Sequence, residues 1–68
     1  MPSTAIRSYR YLKDRKILEV TFVGGGRYHY LRVPEQIARE METARSKGTF
    51  VNQQIKPNFD YVRLEGVR

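Results

Sequence analysis

The feature that most constrains the fold is the segment 18–34, in which apolar and polar residues alternate on both sides of three consecutive glycines. Alternation at every second position is the period of a half-buried β-strand. The segment therefore predicts a β-hairpin whose loop is formed by the three glycines. With that loop, Phe22 lies opposite Tyr28 and Val20 lies opposite Tyr30, so the aromatic and aliphatic side chains share one face.

Two further segments extend this hairpin into a larger sheet. Residues 5–12 are rich in strand-forming residue types, and a polar turn at residues 13–16 follows them. The second strand is predicted over residues 17–23 and the third over residues 27–32. The sequence thus predicts an antiparallel meander of three strands.

A helix is predicted to begin at Pro34, because proline suits the first helical position. Ile37, Met41 and Ala44 recur at helical spacing and form one apolar stripe. Gly48 is a suitable left-handed C-terminal cap. We expect this helix to pack across the apolar face of the sheet.

The remaining chain predicts one short element and a tail. Residues 49–55 are expected to form a short second helical turn, which Pro57 ends. Residues 58–68 form an extended tail that adds to an edge of its own sheet or to that of a partner chain. Residues 1–4 are expected to be disordered. The predicted fold is a single α+β domain over residues 1–68: a three-stranded antiparallel β-meander packed by one α-helix, with a short second helical turn and an extended C-terminal tail.

Length and composition narrow the class of protein. A chain of 68 residues buries only about 60% of the surface that its unfolded form exposes, so additional burial in an oligomer is expected. The absence of cysteine and the single histidine argue against disulfides, metal sites and cofactors. No apolar run approaches the roughly 20 residues of a membrane helix, so we expect a cytoplasmic protein without a membrane partner.

The charge is strongly basic and unevenly distributed. Thirteen basic and seven acidic residues give a net charge of +6, of which +5 lies in residues 1–32 and +1 in residues 33–68. A basic surface on a small domain is typical of proteins that bind polyanions, usually nucleic acid. The alternative is that the charge serves solubility.

The candidate phosphate contacts lie mostly in and beside the predicted strands. The turn at residues 13–16 carries three cations on a tight, exposed tip, which suits a phosphate contact, although an ordinary solvated turn has the same composition. The predicted nucleic-acid-binding residues are Arg7, Arg10, Lys13, Arg15, Lys16, Arg27, Arg32, Lys47 and Lys56.

The tyrosines allow two interpretations. If Tyr11 pairs opposite Leu18 and Tyr9 opposite Val20, all four sheet tyrosines face the helix and are core residues with hydroxyls at the rim. The alternative is that aromatic residues beside cations stack on nucleobases.

The opposite face of the sheet has apolar side chains with no predicted element to cover them. Such a patch usually marks an interface, and we expect it to form a C2 homodimer, with the tail contributing. The predicted interface residues are Leu12, Ile17, Val23, Leu31, Phe59 and Tyr61.

Catalysis has no support in the sequence. His29 is a lone histidine on a strand, and no serine, cysteine or paired carboxylate is placed to work with it. We therefore expect a protein that is not an enzyme and has no small-molecule substrate.

One ordered set of residues runs along the chain, namely Ile6, Tyr11, Leu18, Val20, Phe22, Gly25, Tyr28, Tyr30, Val33, Pro34, Ser46, Gly48, Asn52 and Ile55. This set resembles the KTSC domain, which is named for the C-terminus of some lysyl-tRNA synthetases and also occurs as a stand-alone bacterial protein. The resemblance covers the chain from about Ser3 to Arg63, with one departure at Leu12, where such domains often carry aspartate. The resemblance implies a small α+β unit with a proposed nucleic-acid-binding role, and the link to a tRNA-handling enzyme makes RNA a plausible ligand.

The sequence therefore predicts a small homodimer that binds DNA or RNA mainly through phosphate contacts, and a regulatory role would be compatible with such binding. The alternative is a protein–protein interaction module that uses the exposed apolar sheet face or edge.

Overall fold

The framework of the fold is an antiparallel sheet of four strands. The computed structural model describes residues 5–64. The strands are β1 (Ile6–Leu12), β2 (Ile17–Phe22), β3 (Arg27–Tyr30) and β4 (Tyr61–Leu64), in the spatial order β1-β2-β3-β4. The predicted α+β class is confirmed, but the prediction of three strands was wrong because the tail supplies a fourth. The predicted disordered start at residues 1–4 lies outside the described residues.

The first hairpin has the predicted register. Tyr9 lies opposite Val20 and Tyr11 opposite Leu18. The turn closes with a hydrogen bond of 3.1 Å from the backbone N–H of Arg15 to the carbonyl of Leu12. The register places the tyrosines of β1 on the same face as the apolar residues of β2.

The second hairpin is shifted by two residues from the predicted register. Val20 lies opposite Tyr28, and Thr21 opposite Arg27. The backbone N–H of Gly25 donates to the carbonyl of Phe22 at 2.9 Å, and Gly25 has a φ of 105°. The left-handed residue of a three-residue loop is its third, so the loop is 23–25 and not 24–26. Because the shift is an even number of residues, each side chain keeps its predicted face.

Residues 61–64 of the predicted tail add to the β3 edge of their own sheet, whereas Asn58 and Phe59 lie in a turn with hydrogen bonds to the carbonyl of Ile55. Residues 65–68 lie outside the described residues. Tyr30 lies opposite Tyr61 and Tyr28 opposite Arg63. Strand β3 ends earlier than predicted, at Tyr30, and Arg32 follows with a φ of 55°. Strand β4 pairs with the edge of β3 that does not pair with β2.

The first helix, α1 (Glu35–Thr43), buries Met41 completely and Ile37 partly, as the apolar stripe predicts. It ends earlier than predicted, at Ala44, which has extended backbone. The ammonium of Lys47 donates to the carbonyl oxygen of Ala44 at 3.0 Å. The side chain of Lys47, and not a glycine cap at Gly48, therefore satisfies carbonyl groups at the end of α1.

The second helical segment is longer than predicted. Helix α2 (Lys47–Phe50) begins after Ser46, whose hydroxyl accepts a hydrogen bond of 3.2 Å from the backbone N–H of Thr49. It continues into a π-helical turn, Val51–Ile55. This segment contributes the buried Val51 and Ile55 to the core, with Phe50 partly buried beside them.

The core lies between the sheet and the three helical segments. Its buried members are Leu18, Val20, Phe22, Tyr30, Val33, Met41, Val51 and Ile55. Tyr9, Tyr11 and Tyr28 pack against this cluster and are only partly buried. The hydroxyl of Tyr11 donates to the carbonyl oxygen of Val33 at 2.5 Å, which ties β1 to the segment before α1. Of the tyrosines interpreted as core residues, Tyr30 is therefore fully buried, whereas Tyr9, Tyr11 and Tyr28 are only partly buried.

Candidate nucleic-acid interface

The helices leave the β3–β4 side of their own sheet face uncovered, and a cleft of about 430 Å³ lies there. It is bounded by the glycine hairpin, by β4 and by the end of the π-helical turn. We call it the aromatic cleft, and its lining residues are Phe22, Gly24, Gly26, Tyr28, Tyr30, Lys56, Tyr61 and Arg63. The fourth strand, which the sequence assigned either to this sheet or to that of a partner chain, builds one wall of it.

Four aromatic rings form the apolar surface of the cleft. The centroid of the Tyr28 ring lies 5.4 Å from that of Phe22 in an edge-to-face arrangement and 5.3 Å from that of Tyr61. The Tyr30 and Tyr61 rings are 5.9 Å apart. These separations are those at which aromatic pairs attract each other, so each ring holds its neighbours in place. Exposure rises from the buried Phe22 and Tyr30 to Tyr61, which is 57% exposed.

Two cations stand at the margin of these rings. The ammonium of Lys56 lies 5.3 Å from the centroid of the Phe22 ring, and the guanidinium carbon of Arg63 lies 5.9 Å from that of Tyr28. Both distances are within the range of cation–π attraction. None of the described residues that line the cleft is acidic. The cleft can therefore hold a planar group against its rings while its margin attracts an anion.

Burial raises the pKa of Tyr30 to about 12, with smaller contributions from the neighbouring Tyr28 and Tyr61. The Tyr30 hydroxyl is therefore neutral at physiological pH, and the cleft gains no negative charge from it.

The turn of the first hairpin presents its cations to solvent. Lys13, Arg15 and Lys16 are all exposed. The ammonium of Lys13 lies 3.8 Å from a carboxylate oxygen of Glu35. Lys16 has a φ of 56°, and its carbonyl accepts the backbone N–H of Val33, which fixes the turn against the start of α1. The turn at residues 13–16, which is the predicted phosphate contact, is thus held in place by a backbone hydrogen bond.

The other predicted cations do not form one continuous stripe. Arg32 pairs with Asp60 at 3.3 Å. Arg7 and Lys47 line a shallow groove beside β1, while Lys56 belongs to the aromatic cleft. The structure therefore divides the predicted cations among the turn, the β1 groove, the cleft and the face of the sheet away from the helices.

That last surface, here called the open face, is centred on Glu19. The side chain of Glu19 accepts a hydrogen bond of 2.9 Å from His29 and lies 3.8 Å from Arg10. The hydrogen bond from His29, together with the positive charges of Arg10 and Arg27, lowers the pKa of Glu19 below its usual value against the opposing effect of its burial. The lone histidine thus has a carboxylate partner on the neighbouring strand.

The predicted interface residues separate into two groups. Leu12, Ile17 and Leu31 are half-buried, and Val23 is 60% exposed. Phe59 packs against the core of its own chain, and Tyr61 joins the aromatic cleft. These two residues are therefore not on the open face, because the tail pairs with β3 and directs them toward the helices.

Most residues of the aromatic cleft were absent from the predicted sets, which contain only Lys56 and Tyr61 of the eight that line it. Arg63 lines the aromatic cleft, and Val62, opposite His29, adds an apolar side chain that is 49% exposed to the open face. The alternation of apolar and polar residues in the tail was the available signal. It could not be assigned to faces until the partner strand was known.

Neither a metal cluster nor a membrane-spanning helix occurs within the described range. No group of three or more histidine, cysteine or acidic side chains there could hold a metal ion. None of the helices in residues 5–64 is long and apolar enough to cross a membrane.

The fold and its surfaces define a small α+β sheet domain with a basic, aromatic cleft at one edge. The sequence model of the KTSC domain matches residues 2–59, and the chain belongs to the KTSC domain family. The predicted resemblance is thereby confirmed.

Relatives of this chain occur as small proteins and as parts of a large enzyme. A protein of Tsukamurella paurometabola is 39% identical over 62 residues, which cover 91% of this chain and 92% of that protein. A lysine–tRNA ligase of Trichormus variabilis is 36% identical over 59 residues, which cover 87% of this chain but 10% of the ligase. The crystal structure of a KTSC domain protein from Yersinia pestis superposes with a TM-score of 0.84 at 36% identity and covers 94% of this chain and 90% of that one.

Proposed function

We propose that this protein binds nucleic acid, DNA or RNA, through contacts between its cations and phosphate groups. The supporting observation is uncompensated positive charge. Of the nine predicted cations, Arg10, Lys13 and Arg32 have a carboxylate oxygen within 4 Å. Within residues 5–64, the other six do not. Cations whose charge no carboxylate compensates can neutralise phosphates and release the counterions of the nucleic acid, and this release supplies much of the affinity.

The kinship with a domain of lysine–tRNA ligase supports RNA as a ligand, because that enzyme is named for its tRNA substrate. We do not propose that this chain has the ligase activity of that enzyme.

Fluorescence anisotropy with labelled duplex DNA, single-stranded DNA and hairpin RNA across a salt series tests this function. With about five phosphate contacts, the slope of log affinity against log salt is expected near −4.5 on a duplex or near −3.5 on a single strand. The double variant Arg15→Ala/Lys16→Ala removes two contacts, so the duplex slope should become about −2.7.

The matched control is Arg39→Ala/Arg45→Ala, which removes the same charge from exposed positions on and just after α1. It should leave the slope unchanged. Equal slopes for both double variants would remove the turn from the binding site. No binding to any of the three nucleic acids at low salt would refute the proposed function.

The open face supports a homodimer as the binding species. Val23 and Val62 are 60% and 49% exposed on one side of the sheet, which also carries the half-buried Leu12 and Ile17. Burial of such apolar surface in a C2 interface would stabilise a small domain and place two basic surfaces on one particle. A chain that sediments as a monomer at micromolar concentration would contradict this assembly.

The same apolar surface favours a second candidate function, a protein–protein interaction module. So does the division of the cations among separate surfaces, because one continuous basic stripe would favour nucleic acid and scattered cations around an apolar patch a protein partner. In that case the charge serves solubility, and partner binding depends on Ile17 and Val62 and not on the cations. Val62→Lys should abolish dimer or partner binding, whereas Thr43→Lys, at the exposed end of α1, should not. Loss of nucleic-acid affinity in the turn variant without any effect of Val62→Lys would count against this candidate.

A further inference from the structure

We propose that the aromatic cleft binds unpaired bases of a single-stranded nucleic acid, which stack against Tyr61 and Tyr28 while Lys56 and Arg63 contact the adjoining phosphates. This inference rests on the nucleic-acid binding proposed above. It adds to it the strandedness of the ligand and the place of base contact.

The rings supply a stacking surface that is both held in place and accessible. Tyr61 is 57% exposed, and its ring lies 5.3 Å from that of Tyr28 and 5.9 Å from that of Tyr30. The buried Phe22 and Tyr30 support the cleft from the core side. The fold already holds these rings in place, so a base that stacks on Tyr61 does not have to order them. This lowers the entropic cost of binding.

The walls leave room for a planar ligand. Gly24 and Gly26 line the hairpin side of the cleft, and neither carries a side chain to fill it. A cleft of about 430 Å³ lies in the range of ordinary small-ligand sites. The size and the ring surface together fit a nucleobase with its sugar.

The charge at the margin selects the chemical class of the ligand. Lys56 and Arg63 flank rings whose described neighbours in the cleft include no carboxylate. A planar group that carries an anion on each side, as a nucleotide within a strand does, satisfies the rings and the cations together. An acidic peptide would satisfy the cations alone.

Stacking on these rings favours single strands over duplexes. In a duplex both faces of each base are covered by neighbouring base pairs, so the rings of Tyr61 and Tyr28 cannot stack on them. Unpaired bases turn their faces outward, and stacking on aromatic side chains tolerates any base sequence.

The test compares three oligomers of about ten nucleotides, a length within the usual site size of single-strand binders. They are an oligouridine, a duplex, and an abasic oligomer with the same number of phosphates. Affinities are measured at one salt concentration for the wild-type chain and for Tyr61→Leu, Tyr61→Phe and Tyr9→Leu. Tyr9 is the control because it is a half-buried tyrosine on β1, at the far edge of the sheet. An oligothymidine distinguishes DNA from RNA.

The expected result is a loss of about 5- to 150-fold in affinity for oligouridine in Tyr61→Leu, the range measured for removal of one stacking ring. Tyr61→Phe retains the ring and should retain the affinity. Tyr9→Leu should bind as the wild-type chain does, and the abasic oligomer should bind all four chains equally and more weakly than oligouridine.

Two results would overturn the inference while leaving the proposed function standing. One is equal affinity of the wild-type chain for oligouridine and for the abasic oligomer. The other is preference for the duplex with no effect of Tyr61→Leu. Failure of every oligomer to bind would overturn both, and equal binding of a polyglutamate of the same charge would show that the cleft attracts anions without recognising bases.

Discussion

Gly26 determines where the Tyr28 ring lies, and replacement of this glycine by alanine tests the geometry of the aromatic cleft. A Cβ at Gly26 would lie 2.8 Å from Cε1 of Tyr28, whereas a Cβ at Gly24 would meet nothing within 4 Å. Neither glycine has a positive φ in the structure. The two substitutions therefore make the same chemical change with different steric consequences.

The magnitude follows from the contact distance. The ring edge of Tyr28 must retreat by about 0.6 Å to reach the 3.4 Å of an ordinary contact. The rings of Phe22 and Tyr61, with centroids 5.4 and 5.3 Å away, oppose that movement. Overpacking of this kind costs about 1–3 kcal/mol, while the loss of glycine entropy from the unfolded chain offsets about 0.4–1 kcal/mol. Gly24→Ala should gain the second effect alone.

Urea denaturation of the two variants and the wild-type chain measures the difference. We expect Gly26→Ala to be less stable than Gly24→Ala by about 1–3 kcal/mol. The Tyr28 ring resonances should shift in Gly26→Ala only, and its affinity for oligouridine should fall with them. Equal stability of the two variants, with unshifted Tyr28 resonances, would refute the proposed position of the ring.

Three further predictions concern the sheet and the core. Because the pKa of Glu19 is lowered in the folded state, its contribution to stability is present above its ordinary value of 4.5 and is lost as the pH falls through the lowered value. Urea titrations at neutral and acidic pH should therefore show a smaller acid loss for Glu19→Gln than for the wild-type chain, and equal losses would contradict the role of the His29 hydrogen bond. Tyr11→Phe removes the hydrogen bond to Val33 and should cost about 0.5–1.5 kcal/mol of unfolding free energy, whereas Tyr9→Phe should be nearly neutral. Met41→Ala opens a cavity at a fully buried position and should cost about 2–5 kcal/mol, against little change for the exposed Glu42→Ala; a small effect at Met41 would show that α1 is loosely packed.

The local elements of this fold were largely predictable because their signals are local. Alternation at period two predicted β2 and β3, and the apolar stripe of Ile37 and Met41 predicted the core-facing side of α1. The pairing of Tyr11 with Leu18, which the core interpretation of the tyrosines assumed, is the one found in the structure. The glycine hairpin has three adjacent residues able to adopt a left-handed conformation. Gly25 adopts it, and the observed register therefore differs by two residues from the register predicted from the sequence.

The errors have two causes: the hairpin register and the helix cap were local choices among competing signals, whereas the position of the tail depended on a partner distant in sequence. The C-terminal cap of α1 comes from the side chain of Lys47, so a glycine nearby was a misleading signal. The tail has the alternation of a strand, but an edge strand takes its partner from whichever edge is free. Once β4 pairs with β3, Tyr61 and Arg63 move into the cleft and Val62 moves to the open face.

The sequence by itself determined the first three strands, the helical segments, the face of each residue in those three strands and the excess of positive charge, because periodicity and composition act over a few neighbouring residues. Only the tertiary structure decided which edge the tail occupies, and with it the aromatic cleft. That cleft brings Phe22 and Tyr28 together with Lys56 and Tyr61. Residues so far apart in sequence meet only after the sheet has formed and the helices have left one part of its face uncovered.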